Sequence, residues 1–286
     1  MPETGNNPDF PFIDLVDETF DVSRSTVFVL SVQIGGEGLS YCLFDTVVNK
    51  FVVLRHYPLD RQEDIIALCG KVFESDEWLK FRYRQSRVMW VSPRSTMVPE
   101  DLLDERCAEQ ILNFNHDSPS HEEQTFVRHL PSQKLYHLFS VPVSLVRLLS
   151  ACQPDIRWLH HAQLTIEGIA AKKTPVSLFF YRGYMDTALF RNKQFLFYNS
   201  FPVNSPVDAF YFLAGVEERF NMPLIATEVA CSGTADNIPS YLEYFKSHSL
   251  RVTECESGRN HIYSHYITES LQRRFAYLFH LHECVS

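Results

Sequence analysis

The sequence predicts an α/β protein built from two similar halves, each containing a mixed sheet. Three observations support this prediction. The same order of predicted elements, three strands, a helix, a strand and a helix, occurs twice along the chain. Residues at corresponding positions of the two copies are identical at nearly constant differences in residue number. The length of 286 residues suits two domains of ordinary size, and 45% hydrophobic with 21% charged residues is a globular composition.

Charge and composition argue against several classes of protein. The chain has 26 Lys and Arg against 35 Asp and Glu, and a net charge of −9 gives no wide positive field for nucleic acid. The first residues lack the basic and apolar stretches of a secretory signal, and no apolar run reaches about 18 residues. Seven cysteines without a Cys-x-x-Cys pair are typical of reduced thiols. We therefore expect a cytoplasmic protein with no membrane span and no bound nucleic acid.

The first half begins with a predicted three-stranded meander. Its strands are rich in β-branched and aromatic residues, and Gly35 to Gly38 have the chemistry of a tight turn. Pro99, followed by acidic residues, predicts the first turn of a helix. The predicted elements are strands at 26–32, 39–45 and 51–57, a helix at 64–73, a strand at 87–91 and a helix at 97–103.

The second half repeats this order after Thr174. Turns are predicted at Arg182-Gly183 and at Arg191 to Lys193, and a loop at Cys231 to Thr234. The predicted elements are strands at 176–181, 186–190 and 195–198, a helix at 208–220, a strand at 224–230 and a helix that begins at 238.

Subtraction of residue numbers tests the repeat. Phe51, Pro58 and Asp64 match Phe195, Pro202 and Asp208 at an offset of 144, and Ser92, Pro99 and Leu102 match Ser232, Pro239 and Leu242 at an offset of 140. Both sets fall in the same order on predicted elements of the same type. The alternative is coincidence, because a few identities arise whenever a sequence is slid along itself. We predict a structural duplication.

Residues 104–130 have no counterpart in the second half. This segment contains a polar stretch, His116 to Glu123, and is predicted to be an inserted loop of weak order. The predicted first half covers residues 1–171, with the insertion near 104–130, and the second half covers 172–286. The remaining predicted elements are strands at 134–141, 156–160 and 250–255 and helices at 142–151, 162–171 and 266–278.

Two copies of this element order are the plan of the actin-like ATPase folds, which include sugar kinases, heat-shock ATPases and pilus-assembly and secretion proteins. From about Phe10 to its end, the chain resembles the bacterial family called domain of unknown function 3822. The resemblance rests on the duplication and on the Phe-x-x-x-x-x-x-Pro pattern that follows each meander. It implies a duplicated actin-like ATPase (ribonuclease H-like) fold, with two mixed-sheet halves around a cleft, and it supports fold better than activity.

In actin-like ATPases the first turn of each meander is a phosphate loop, where an acidic residue helps to hold Mg²⁺ and backbone N–H groups reach the phosphates. The resemblance places Gly35, Gly36 and Glu37 in the first such turn. Gln33 or Ser31 stands at the strand end in place of the acid. A glycine-rich hairpin turn also needs no phosphate to explain it, since glycine readily adopts positive φ.

The second turn also departs from this pattern. It retains Gly183, but Arg182 stands where an acid belongs and Tyr184 where a small residue is needed. The resemblance assigns an adenosine loop to Ser232 and Gly233. The same residues suit a strand-to-helix loop in which Asp236 or Asn237 caps the next helix.

Histidines offer two candidate metal clusters. His261 and His265 stand four residues apart and would share one face of a helix, while His280, His282, Glu283 and Cys284 form a second set near the end. Neither has a full ligand set at structural-zinc spacing, so no metal site is predicted. Clustered Arg residues, including Arg273 and Arg274, suit a solvated face or an acidic partner.

The sequence therefore predicts a non-catalytic actin-like protein that binds or scaffolds an unknown protein partner, with no catalytic residues. The candidate cofactor-binding residues are Gly35, Gly36, Glu37, Gly183, Ser232 and Gly233. The alternative is a Mg-ATP-dependent ATPase or kinase-like enzyme that uses the cleft, with Glu37 or Asp186 as metal ligand. A third possibility is a peptide- or protein-docking surface on segment 104–130.

Overall fold

The chain forms two mixed sheets, a small third sheet and the helices that cover them. The computed structural model describes residues 12–60, 62–117, 119, 121–168, 174–235, 237–254 and 261–283. Its strands and helices, in chain order, are β1 (Ile13–Val16), β2 (Phe28–Gly35), β3 (Gly38–Asp45), β4 (Lys50–Pro58), α1 (Ile65–Ser75), β5 (Gln85–Trp90), β6 (Ser95–Pro99), α2 (Ala108–Asn115), β7 (Glu123–Leu130), β8 (Leu135–Pro142), α3 (Val143–Cys152), β9 (Arg157–His160), α4 (His161–Gln163), β10 (Val176–Tyr181), β11 (Tyr184–Arg191), β12 (Gln194–Pro202), α5 (Pro206–Phe220), β13 (Glu228–Gly233), α6 (Ile238–Ser247), β14 (Arg251–Glu254), β15 (Ile262–Tyr263), α7 (Glu269–Arg274) and α8 (Ala276–His280).

The two large sheets have the same strand order. The first runs β4-β3-β2-β5-β9 and the second β12-β11-β10-β13-β14. In each, the first three strands form an antiparallel meander and the last two join it in parallel. The first sheet is extended at β4 by β1 and by β15. This common order confirms the predicted duplicated fold.

Alternating apolar residues determine which face of the first sheet each helix covers. Leu30, Val32 and Ile34 of β2 point to one face, where they pack with Leu68 of α1 and Leu145 of α3. The alternate residues of the strand point to the opposite face because successive side chains of a strand alternate in direction. A cluster with the same role in the second half joins β10, α5 and α6.

The C-terminal helices cover the other face of the first sheet. Val29 and Leu54 pack against Phe275 and Leu278 in one buried cluster. The single helix predicted at 266–278 is wrong, because the chain forms two short helices that meet at the non-helical residue Phe275. This break lets the Phe275 ring enter the core, where it is 2% exposed. The C-terminal helices, which follow the second sheet in the chain, thereby contribute part of the core around the first sheet.

The helix predicted at 97–103 is also wrong. This stretch forms β6, in which Met97 pairs with His137 of β8, and only a 3-10 turn follows at Glu100–Leu102. Cross-strand pairing outweighs the local preference of Pro99 for a helix start. Pro239 lies in the first turn of α6, so the offset of 140 does not relate equivalent helices. In the first sheet, α3 is the helix that leads directly into β9, the parallel neighbour of β5.

The inserted region is more regular than predicted. Sheet β6-β8-β7 lies between β5 and α3 in the chain. Segment 104–130 forms a 3-10 turn, α2 and β7 rather than a polar loop, because Leu112 of α2 is buried against Leu138 of β8. Residues 118 and 120 lie outside the described part.

Several boundaries also differ from prediction. The strand predicted at 224–230 starts as a 3-10 turn at Leu224–Ala226, and β13 continues through Gly233, where a loop was expected. The helix predicted at 162–171 is the short α4 followed by a π-helical turn at Leu164–Gly168, and residues 169–173 lie outside the description. Within the ranges described, no helix is long and apolar enough to cross a membrane.

Candidate functional site

The first turns of the two meanders contact each other. Arg182, between β10 and β11, donates from Nη1 to the carbonyl oxygen of Gly36 at 2.9 Å and to that of Leu59 at 3.2 Å. The Leu59 N–H in turn donates to the carbonyl oxygen of Glu37 at 2.9 Å. The turns at Gly35 to Gly38 and at Tyr181 to Tyr184 are thus held together by an arginine from the second half.

Close packing explains the glycines of the first turn. A Cβ atom on Gly36 would lie 3.0 Å from Cβ of Arg182, and one on Gly35 would lie 2.7 Å from Cβ of Val91. Gly183 of the second turn has a φ of +78° and open space around it. Gly36 therefore lies against the second turn. Because Gly35 and Gly36 have no side chains, Val91 and Arg182 can approach their backbone closely.

Gln33, at the end of β2, is 5% exposed, and its amide oxygen has no hydrogen-bond partner within the described chain. It pairs with Ser40 across the hairpin. A neutral amide here supplies none of the negative charge with which a carboxylate attracts a divalent ion.

Asp186 of β11 is buried at the contact between the halves. Tyr181 donates its hydroxyl to Oδ1 at 2.8 Å, and Tyr198 and the Nε2 of His161 both donate to Oδ2. The side chains of Asp186 and His161 are 1% and 0% exposed. Burial and the Asp186 charge raise the pKa of both tyrosines well above the ordinary range. Three donors therefore occupy the carboxylate that the enzyme alternative assigns to a metal.

Two more histidines, His137 and His160, lie near the contact between His161 and Asp186. His160 caps α4, with Nδ1 accepting from the Ala162 N–H at 3.2 Å and Nε2 facing the carbonyl oxygen of Ser92 at 2.9 Å. Burial, then the neighbouring His161, lower the pKa of His137 to about 3 and that of His160 well below its usual value. Both rings are therefore neutral at pH 7.

Ser232 and Gly233, which the resemblance assigns to an adenosine loop, are the last two residues of β13 in the second sheet. Ser232 donates its hydroxyl to the carbonyl oxygen of Leu178 at 3.1 Å and also lies 3.4 Å from the hydroxyl of Tyr277. Gly233 has a φ of +143°, and a Cβ there would lie 2.0 Å from the carbonyl oxygen of Phe180. Asn237 stands at the start of α6 without a side-chain capping bond, and Asp236 lies outside the described residues.

Comparison with known proteins identifies the family. The sequence matches the family model described as Protein of unknown function (DUF3822) over residues 17–248. The chain belongs to this family. No curated protein matches the DUF3822 chain.

Two solved structures resemble the DUF3822 chain in fold. A protein of Bacteroides thetaiotaomicron, described as having an actin-like ATPase fold and unknown function, is 22% identical, with a TM-score of 0.75 over 82% of this chain and 93% of that one. A chain of the PilM–PilN type IV pilus biogenesis complex is 11% identical, with a TM-score of 0.59 over 88% of this chain and 97% of that one. These similarities confirm the actin-like ATPase fold.

Nothing in the sequence predicts which side chains meet where the two halves contact each other. In the sequence, Arg182 is notable only as a departure from an acidic pattern. Tyr198 and Tyr277 carried no signal, because their partners lie 12 and 45 residues away in the chain. His160 and His161 are adjacent in the sequence, but nothing local connects His161 to Asp186. These contacts exist only once the sheets are packed.

Proposed function

We propose that this protein is a non-catalytic actin-like module of the bacterial cytoplasm that binds or scaffolds a protein partner. The observation that carries the proposal is the bridge from Arg182 to the carbonyl oxygens of Gly36 and Leu59. A phosphate loop binds its ligand by pointing backbone N–H groups at it. Here the groups that face the opposite turn include carbonyl oxygens, which repel phosphate oxygens.

Phosphoryl transfer also needs a placed metal ion and an oriented nucleophile. Asp186, one of the two carboxylates available to the alternative, already accepts hydrogen bonds from Tyr181, Tyr198 and His161. A metal ion there would have to displace two buried donors, Tyr181 and His161, and the half-buried Tyr198, and an unpaired buried donor costs about 1–3 kcal/mol. This cost favours the binding module over the ATPase.

Titration with Mg-ATP tests the proposal. Melting temperature and phosphate release are measured at increasing Mg-ATP for the unaltered chain, Glu37→Gln and Arg182→Ala. We expect no saturable rise in melting temperature and no turnover at millimolar nucleotide for any of the three. Saturable stabilisation with turnover that Glu37→Gln abolishes would overturn the proposal in favour of the enzyme.

A protein partner fits the similarity in fold to a chain of the PilM–PilN type IV pilus biogenesis complex. Segment 104–130 is the surface that we propose for this partner, because Phe114 of α2 is 90% exposed and Leu102, which lies just before the segment, is 73% exposed. Aromatic side chains such as Phe are enriched at protein–protein interfaces relative to the rest of the surface. Affinity purification of the tagged chain, followed by reconstitution with the purified partner and with a Phe114→Ala variant, tests the surface. Unchanged partner affinity in that variant would exclude it.

A further inference from the structure

The fold brings together histidines that the sequence separates into two clusters. His261 directly precedes β15 and His265 is exposed beyond it, so the two histidines do not share a helix face. His261 instead lies beside the turn that follows α8, with Nε2 2.5 Å from Oε1 of Glu283. One ligand atom from each of His261, His282 and Glu283 lies within 4.8 Å of the other two.

We propose that His261, His282 and Glu283 form a binding site for a divalent transition-metal ion of the zinc type. Two imidazole nitrogens and one carboxylate oxygen are a ligand set that Zn²⁺ accepts, with a fourth position for water or a partner group. Bonds of about 2.1 Å in a tetrahedral site hold ligand atoms about 3.4 Å apart. The spacing within 4.8 Å therefore needs only small side-chain rotations to close on an ion.

The orientation of His282 supports the site independently. Its Nδ1 donates to the carbonyl oxygen of Phe279 at 2.5 Å, which leaves Nε2 with the lone pair that binds a metal. Metal-binding histidines characteristically donate their other ring N–H in this way, because the bond fixes both tautomer and ring direction. Arg87 holds the same turn by donating to the backbone carbonyl oxygens of Leu281 and His282.

Aromatic rings form the floor of the site. The Phe44 ring centroid lies 4.2 Å from that of His282 and 5.5 Å from that of His261, and Phe51 lies 5.2 Å and 5.8 Å from the same two rings. The His261 side chain is 10% exposed, whereas Glu283 is 49% exposed. The two imidazoles are thus held by packing, while the carboxylate side is open for an ion to enter.

His280 contributes from the edge, with Nδ1 3.3 Å from Oε2 of Glu283. Cys284, the last donor of the cluster seen in the sequence, lies outside the described residues. A bound ion would connect the end of the chain to the β4 edge of the first sheet, since β15 pairs with Lys50 and Phe51 of β4. The competing explanation is a hydrogen-bonded His–Glu–His contact that binds no metal.

Zinc binding by the full chain tests the proposal. The protein is stripped with a chelator, dialysed and titrated with Zn²⁺ alone, with bound zinc measured by competition against a chromophoric chelator. We expect one ion per chain, a rise in melting temperature with zinc, and a loss of affinity of more than about 100-fold in His261→Ala and in His282→Ala. His265→Ala and His248→Ala are matched controls that should retain the affinity of the unaltered chain.

Two further measurements keep the test decisive. Glu283→Gln removes a half-exposed ligand, so it should fold even if a buried histidine variant does not, and it should also weaken zinc binding. Co²⁺ in place of Zn²⁺ should give the visible absorption of a low-symmetry site, and both histidine variants should remove it. Zinc affinity that is unchanged in His261→Ala, His282→Ala and Glu283→Gln, or no binding by the unaltered chain, would overturn the proposal.

Discussion

Replacing Asp186 with Asn removes the negative charge at the buried contact between the halves. The carboxylate, 1% exposed, accepts from Tyr181, Tyr198 and His161. An Asn side chain keeps the shape, but its NH₂ group turns a donor toward at least one of these donors. Leaving a buried donor without its acceptor costs about 1–3 kcal/mol, and more where the lost acceptor was charged. We expect Asp186→Asn to lower the free energy of unfolding by that amount.

Urea denaturation at pH 7, followed by tryptophan fluorescence and far-UV circular dichroism, measures the effect. A loss of 3 kcal/mol lowers the folding equilibrium constant about 150-fold. Glu243→Gln on the exposed side of α6 is the control, and it should change the unfolding free energy by less than about 0.5 kcal/mol. Comparing the two probes also shows whether the halves unfold together.

A double-mutant cycle with His161→Gln isolates the pair. Because the two side chains are in direct contact, the combined variant should lose less stability than the sum of the single losses, by about 0.5–3 kcal/mol. Asp186→Asn within 0.5 kcal/mol of the unaltered chain would refute this reasoning. So would a variant of normal stability that had lost Mg-ATP turnover, since Asp186 would then act as a metal ligand.

Four other substitutions have expected outcomes. Gly233→Ala should destabilise the chain by more than about 2 kcal/mol, because φ is +143° and the new Cβ would lie 2.0 Å from a backbone oxygen. Gly183→Ala, where the Cβ would enter open space, should cost only about 1–2 kcal/mol. Equal denaturation midpoints for these two variants would contradict this difference. Gly215→Ala, with nothing within 4 Å in α5, should stabilise by about 0.5–1 kcal/mol, and a lower melting temperature would count against it. Burial raises the pKa of Asp17, but hydrogen bonds, first from Lys50, outweigh burial and hold it well below the usual value. The stabilisation is therefore present above the unfolded pKa of about 3.9 and is lost as pH falls through the folded value. Asp17→Asn should be less stable at pH 7, by a deficit that shrinks below about pH 4 in acid-dependent denaturation; a constant deficit would contradict the assignment.

Much of the fold could be predicted because its signals are local. The meanders show alternation and turn chemistry, and helices such as α1 and α5 show apolar residues at helical spacing, so both types of element were found close to their observed bounds. The error at Pro99 has the opposite cause. A proline and two acids suggest a helix start locally, but Ser95–Pro99 pairs with Leu135–Phe139, about 40 residues away, and that pairing determines the structure.

The candidate site was less predictable than the fold. The sequence located the turns at Gly36 and Gly183 and noted that Arg182 replaces an acid. It gave no sign that the Arg182 guanidinium would reach the carbonyl oxygens of Gly36 and Leu59, which are 146 and 123 residues away in the chain. Such contacts depend on how one packed sheet faces another, and no short-range pattern encodes that arrangement.

By itself, the sequence determined the duplicated α/β plan, because hydrophobic periodicity and turn residues act over a few positions and the two copies repeat them. Tertiary structure decided what the conspicuous residues do. In the folded chain, Arg182 joins two turns by hydrogen bonds and Asp186 accepts hydrogen bonds from three side chains. His261 lies 2.5 Å from Glu283, which is 22 residues away in the chain. The physical reason is that burial creates the demand for polar partners, and only the packed chain determines which partners are within reach.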